Sequence, residues 1–124
     1  MKLRMHRNSV RLRLNQAEVA QFSKTGYVEE TIELAPGSNF SYVLESSSTI
    51  PVPQASYKNG ELRVQIPTVQ GMQWATGDSV GISGEQPLSP GKSLSILIEK
   101  DFQCLHGDVD PKAYPNPMGD PGPK

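Results

Sequence analysis

The sequence predicts an α+β domain, mainly antiparallel sheet or a small partly closed barrel of seven to eight short strands, with two short helices. Three observations predict it. Apolar and polar residues alternate over most of the chain, the period of a half-buried strand. Turn chemistry separates the alternating runs at short intervals and joins neighbours as hairpins. Only one well-signalled helix lies between strands, which does not support a βαβ repeat. No internal repeat is visible in the sequence.

Leu3 and Met5, then Val10, Leu12 and Leu14, alternate with polar residues, and Arg7-Asn8-Ser9 forms the connection, with Asn8 as the positive-φ candidate. The outer side of this hairpin is basic, carrying Lys2, Arg4, Arg11 and Arg13. A helix follows over 16–25. Asn15 is a good N-cap, Glu18 three residues on closes a capping box, Leu14 and Val19 have hydrophobic-staple spacing, and Gly26 supplies the left-handed stop. Tyr27 to Leu34 returns to the strand pattern. Glu30 falls on its apolar side, which requires a sheet edge or a cationic partner. Glu29 and Glu33 face outward and complement the arginines if the two strands are neighbours.

Ala35-Pro-Gly-Ser-Asn39 is a turn, and Phe40, Tyr42 and Leu44 line the next strand. Residues 46–53 form an extended connection. Asn59-Gly60 between Ala55/Tyr57 and Leu62/Val64/Ile66 is a type I′ hairpin signal, because both central residues need positive φ. Thr68 then caps a short helix to about Ala75, with Val69, Met72 and Trp74 or Ala75 inward; Gly71 inside it costs about 1 kcal/mol relative to alanine. Val80 and Ile82 open a strand, Glu85 to Lys92 reads as loop, and Leu94, Ile96 and Ile98 form the last strand.

At 124 residues the chain fits one domain, expected over 1–117, with 118–124 as a flexible tail. A formal charge of −1 gives no global field toward nucleic acid or an anionic membrane. One cysteine, Cys104, excludes an internal disulfide and fits a reducing compartment. The alternating N-terminal residues do not resemble a signal peptide, and no run approaches the ~18 apolar residues of a bilayer span, so a soluble cytoplasmic protein is expected.

Reactive side chains gather near the C-terminus. Cys104, His106, Asp108 and Asp110 share one face if the last strand continues, and thiolate, imidazole and carboxylate together suit zinc or another divalent metal. His6 completes that site if the first strand lies beside the last. Gly107 interrupts the strand and there is no second cysteine, so the competing reading is a structural closure anchored by Phe102 and Leu105. Catalysis by Cys104 with His106 is weaker still, since residues two apart on a strand sit ~6–7 Å apart. Arg4, Arg11 and Arg13 are candidates for contact with an anion or partner. No interleaved aromatics accompany them, so a salt-bridged face is preferred to nucleic-acid binding. No Gly-rich phosphate loop or nucleophile elbow is present.

Met1-Lys-Leu-Arg4, Asn8-Ser-Val-Arg-Leu-Arg-Leu14, Lys100-Asp-Phe-Gln-Cys-Leu105 and Tyr114-Pro-Asn-Pro117 together resemble a small bacterial protein family of unknown function, over nearly the whole chain to Pro117. The resemblance implies a bacterial, free-standing, single-domain protein and carries no activity, substrate or site residues. The sequence therefore leads to a small binding module without catalysis, taking an unknown protein or small-molecule ligand, with a homodimer left open. The alternative is a metal-binding protein or small metal-dependent enzyme using the Cys104 cluster. The third reading is phosphate or nucleic-acid contact through the basic hairpin.

Overall fold

The computed structural model describes residues 1–101. In chain order these form β1 (Lys2–His6), β2 (Ser9–Leu14), α1 (Gln16–Thr25), β3 (Tyr27–Ala35), β4 (Ser38–Ser47), β5 (Gln54–Lys58), β6 (Glu61–Pro67), α2 (Thr68–Thr76), β7 (Gly81–Ser89) and β8 (Lys92–Lys100). The eight strands and two helices match the expected α+β class. They make two four-stranded sheets, ordered β1-β2-β8-β7 and β3-β4-β6-β5. The hairpin pairings are antiparallel, but the central pairs β2–β8 and β4–β6 are parallel, so both sheets are mixed and neither closes into a barrel.

The described residues form a structural duplication that the sequence does not display. A hairpin in one sheet, a helix and a hairpin in the other occur twice: β1β2-α1-β3β4, then β5β6-α2-β7β8. The halves agree in detail. Arg7 and Asn59 hold φ of 54° and 53° in equivalent turns, and Gly37 and Gly91 hold 75° and 78°. Register irregularities fall between Glu33 and Ala35 in one half and between Pro87 and Ser89 in the other. The parallel pairs start with matching bonds, Ser41 N–H to the Gly60 carbonyl (2.9 Å) and Ser95 N–H to the Asn8 carbonyl (3.0 Å). Equivalent positions carry different residues, which is why the sequence hides the repeat.

Parallel central strands set all four hairpin turns at one end and both helices at the other. The core lies between the sheets: Leu12, Leu14, Ile96 and Ile98 face Leu44, Val64 and Ile66, and Phe22 and Trp74 close the helix end. Their rings meet edge to face at 6.0 Å and 69°, and the Trp74 Nε1–H donates to the Val80 carbonyl at 3.0 Å. α1 carries the expected capping box, with Asn15 Oδ1 accepting from Glu18 N–H and Glu18 Oε1 from Asn15 N–H, both at 2.9 Å, and it ends on Gly26 at φ 71°.

The sheets are tied along both open edges. On one, Ala55 N–H donates to Gln86 Oε1 (2.6 Å) and Gln86 Nε2 donates to the Ala55 carbonyl (3.0 Å), so a side-chain amide stands in for a pairing strand. On the other, the Met1 α-ammonium is bonded to Glu18 and to Glu30, the latter at 2.9 Å, while the Tyr42 hydroxyl donates to the Met1 carbonyl at 2.7 Å. Glu30 thus has both features expected of it, an edge strand and a cationic partner. Burial alone would lower the ammonium's pKa, but the bonds to Glu18 and Glu30 outweigh it and raise the pKa. Burial would likewise raise Glu18, and its bonds to the ammonium and to Asn15 N–H outweigh that and lower it.

Four local expectations are corrected. The positive φ of the first turn falls on Arg7, not Asn8. Pro67, not Thr68, is the N-cap of α2, and the Thr68 hydroxyl pairs with that of Ser46 at 2.8 Å. Gly71 and Trp74 form the buried side of α2, whereas Val69 and Met72 are exposed: the helix turns its small residue toward Phe22 to admit the Trp74 ring. The segment from Glu85 to Lys92 is strand on both sides of a Pro90-Gly91 turn; Pro87 is accommodated because β7 is an edge strand.

Candidate functional site

The basic hairpin lies on the outer face of the first sheet. Its register sets Lys2 opposite Arg13, Arg4 opposite Arg11 and His6 opposite Ser9. Like charges directly opposite destabilise a pair by ~0.2–1 kcal/mol unless something neutralises them. Parallel β8 supplies the neutralising acids, but only at the helix end. Asp101 lies 3.1 Å from Lys2 Nζ and 3.3 Å from Arg13 Nη2. Glu99 lies 3.0 Å from Arg11 Nε and 3.3 Å from Arg13 Nε, the latter off the line of a hydrogen bond. Glu29 and Glu33, expected to complement these arginines, belong to the other sheet.

Toward the turns the acid on this face is Glu85, whose carboxylate accepts from the Ser93 and Ser95 hydroxyls at 3.0 and 2.6 Å and is paired with no arginine among the described residues. Among the described residues no carboxylate lies within 4 Å of Arg4, and Arg11 has one acid only. Here the surface forms an open groove of ≈ 340 Å³ lined by Arg4, His6, Ser9, Arg11, Ser95 and Leu97, together with Val10. The Arg4 and Arg11 guanidinium groups stand beside Val10 and Leu97, whereas both hydroxyls are committed as donors, Ser9 Oγ to the His6 carbonyl at 2.7 Å and Ser95 Oγ to Glu85 Oε2 at 2.6 Å. The two guanidinium groups suit an oxyanion attached to a small apolar group.

The second sheet provides an internal comparison. Its registers equate Arg63 with Arg11, Glu45 with Glu99, Val43 with Leu97, Glu61 with Ser9 and Ser56 with Arg4. Arg63 is fully matched: Nη1 lies 2.8 Å from Glu45 Oε1, and Nε and Nη2 each lie 2.8 Å from Glu61 Oε2. The bonds to Glu45, then those to Glu61, hold its pKa above the ordinary arginine range against the opposing effect of burial. Arg63 also holds Glu45 below the usual carboxylate range, against burial. Val43 beneath is fully buried, while its counterpart Leu97 is only half-buried. The first sheet thus has a serine in place of the second acid and an additional arginine.

A second groove, ≈ 390 Å³, lies between α1 and Ala75 of α2 beside Asp101. Its charged groups are already engaged, Lys100 Nζ with the Gly77 carbonyl (2.9 Å) and Asp101 with Lys2 and Arg13, so it offers no spare charge to a ligand. The metal candidates Cys104, His106, Asp108 and Asp110 lie outside the described residues. His6 sits on the outer face beside Arg4. Among the described residues no group of three or more His, Cys, Asp or Glu is placed to hold a metal.

Sequence reasoning finds Arg4, Arg11 and Arg13 and groups them correctly on one face. It places Arg13 in the candidate set, but the structure gives Arg13 to Asp101 and Glu99 and leaves Arg4 and Arg11 at the groove. It misses Ser95 and Leu97 because no local signal sets β8 beside β2; the alternation of Ser93 and Ser95 with Leu94 and Ile96 is the one available clue.

A family model for a family of unknown function, DUF7009, matches residues 1–118. The chain belongs to that family. The match extends past the described residues and contains both the groove and the Cys104 cluster. No curated protein and no solved structure matches the chain. No helix among the described residues is long and apolar enough to cross a membrane.

Proposed function

We propose that this DUF7009 protein is a binding module without catalysis, and that it holds a phosphate- or carboxylate-bearing ligand in the groove at Arg4 and Arg11. One observation carries the reading: of two opposed arginines, Arg11 has one acid, which Arg13 also approaches, and Arg4 has none within 4 Å among the described residues, where the equivalent arginine of the second sheet has two. An oxyanion between Arg4 and Arg11 relieves their mutual repulsion and accepts from both, as paired guanidinium groups do well. Leu97 favours a ligand with a short apolar part beside the charge. Among the described residues the outer face of the first sheet carries no Phe, Tyr or Trp for bases to stack on, which argues against single-stranded nucleic acid. We also infer a bacterial, cytoplasmic setting from the single cysteine and the family resemblance.

The test is titration of the labelled protein with inorganic phosphate and, separately, with succinate, followed by amide chemical shifts. Saturable shifts confined to residues around 4–11 and 95–97, weakened by added salt, support the reading, and the stronger of the two ligands identifies the anion class. Arg4→Ala, at an exposed position, should lower affinity at least fivefold without lowering the melting temperature. Non-saturating shifts spread over all basic residues, or undiminished affinity in Arg4→Ala, refute it.

A further inference from the structure

The end of the molecule opposite the helices is toothed. Ser41 is the first residue of β4 level with β6, and Ser95 the first of β8 level with β2. The pairs that close the long hairpins, Ala35–Ser38 and Ser89–Lys92, therefore stand three residues, or ~10 Å, past those that close the short ones, Lys58–Glu61 and His6–Ser9. Two long hairpins, β3–β4 and β7–β8, alternate around this end with two short ones, β1–β2 and β5–β6.

The core-facing sides of the long hairpins remain apolar where no other element covers them. Leu34 is 70% exposed, Ile32 45% and Leu88 52%, and the ends of the short hairpins add Met5 at 59% and Tyr57 at 67%. Phe40 and Leu94 continue the same faces inward onto the core. Phe40 joins the buried and exposed parts, its ring 6.1 Å from that of Tyr42 and 6.5 Å from that of Tyr57. At ~200 Å² for a free side chain of this size, the five exposed residues present roughly 600 Å², the upper end for a monomer's largest apolar patch.

We propose that this end is a self-association surface, on which a second copy of the chain docks with its long hairpins seated over the short hairpins of the first. The shape is self-complementary: two protrusions and two recesses alternate, so an inverted copy turned about the common axis interlocks. The area is sufficient, since two such patches bury about 1,200 Å², the lower bound for a stable specific interface. A two-fold assembly of this kind is isologous and closes at two copies.

Sedimentation velocity over about 1–300 µM tests it. The expected result is twice the 13.5 kDa chain mass for the natural sequence, and the single-chain mass for Leu34→Glu/Leu88→Glu. Val69→Glu, equally exposed but on α2 at the far end, should leave the dimer intact. A natural chain at monomer mass throughout, or a double variant that still dimerises, overturns the proposal; in the first case, dye binding to the apolar patch that Leu34→Glu/Leu88→Glu abolishes assigns the surface to another occupant. If the double variant does not fold, concentration-dependent amide shifts in the natural chain decide: confined to 32–40 and 86–94 they support the interface, and elsewhere or absent they overturn it.

Discussion

Ser9→Glu copies onto the first sheet the arrangement that already quiets the second. Ser9 is the register equivalent of Glu61, which binds Arg63 through two nitrogens at 2.8 Å. A carboxylate at position 9 gives Arg11 the second acid it lacks and puts a negative charge at the mouth of the groove. Two unit charges ~5 Å apart repel by about 0.8 kcal/mol in bulk water and about 3 kcal/mol at an effective dielectric of ~20. The groove is open, so the loss in oxyanion affinity lies between about fourfold and about 200-fold, with the lower half of that range favoured by solvent access. Stability changes by under ~1 kcal/mol, because the new pair is largely exposed. The assay is the phosphate titration by amide shifts, run beside Ser9→Ala, which removes the hydroxyl and adds no charge. Affinity within twofold of the natural chain in a folded Ser9→Glu protein refutes the reasoning. An equal loss in Ser9→Ala also refutes it, by making the hydroxyl and not the charge balance decisive.

Two further predictions concern the scaffold. Gly71→Ala gains about 1 kcal/mol in helix propensity, but its Cβ would lie 3.1 Å from both Ile66 Cδ1 and Phe22 Cε2, two fully buried side chains; overpacking costs about 1–3 kcal/mol, so denaturant unfolding should show a net loss of ~0–2 kcal/mol, and Phe22→Leu should cost less in the Gly71→Ala background than alone. The Met1 ammonium pKa is raised above its ordinary ~8 and that of Glu18 is lowered below its ordinary ~4.3. Their stabilisation is therefore complete between those two values, lost as pH rises through the raised ammonium pKa and lost as it falls through the lowered Glu18 pKa. Thermal melts from pH 6 to 9.5, where Tyr42 with its pKa raised by burial stays neutral, should show an alkaline decline that Glu18→Gln reduces.

What the sequence makes legible is local, and what it hides is long-range. Asn15 with Glu18, Gly26, Asn59-Gly60 and the alternating apolar runs each carry their signal within a few residues, and each forms the structure it predicts. The pairing of β2 with β8 joins residues at opposite ends of the described chain, and nothing in the alternation of either strand names its partner. Glu29 and Glu33 illustrate the consequence: their charge complements the arginines, but the helix α1 carries the chain to the other sheet before they arrive. Val69 and Met72 fail for a different reason. Their spacing suits an inward face, but the space beside Phe22 admits a glycine and a tryptophan, and only tertiary packing decides that. The candidate site inherits both properties. Its arginines are local to one hairpin and visible, while the acids that remove Arg13 and the serine and leucine that complete the groove come from the distant strand.

The duplication changes how such a surface is read, because each half is a control for the other under the same strand register. In the core, equivalent positions keep their apolar character while exchanging shape: Val19 and Phe22 answer to Gly71 and Trp74, and Tyr42 answers to Ile96. Packing demands volume across the whole interior, so the two halves need only sum correctly. No such demand acts on the outer faces, yet one face matches its central arginine with two acids and covers its valine, and the other opposes two arginines and half-exposes its leucine. Folding is satisfied by either arrangement, as the presence of both in one molecule demonstrates. The unmatched face is thus the one whose composition stability does not account for, and under the proposed function a ligand's negative charge would supply the component that Glu61 supplies on the other.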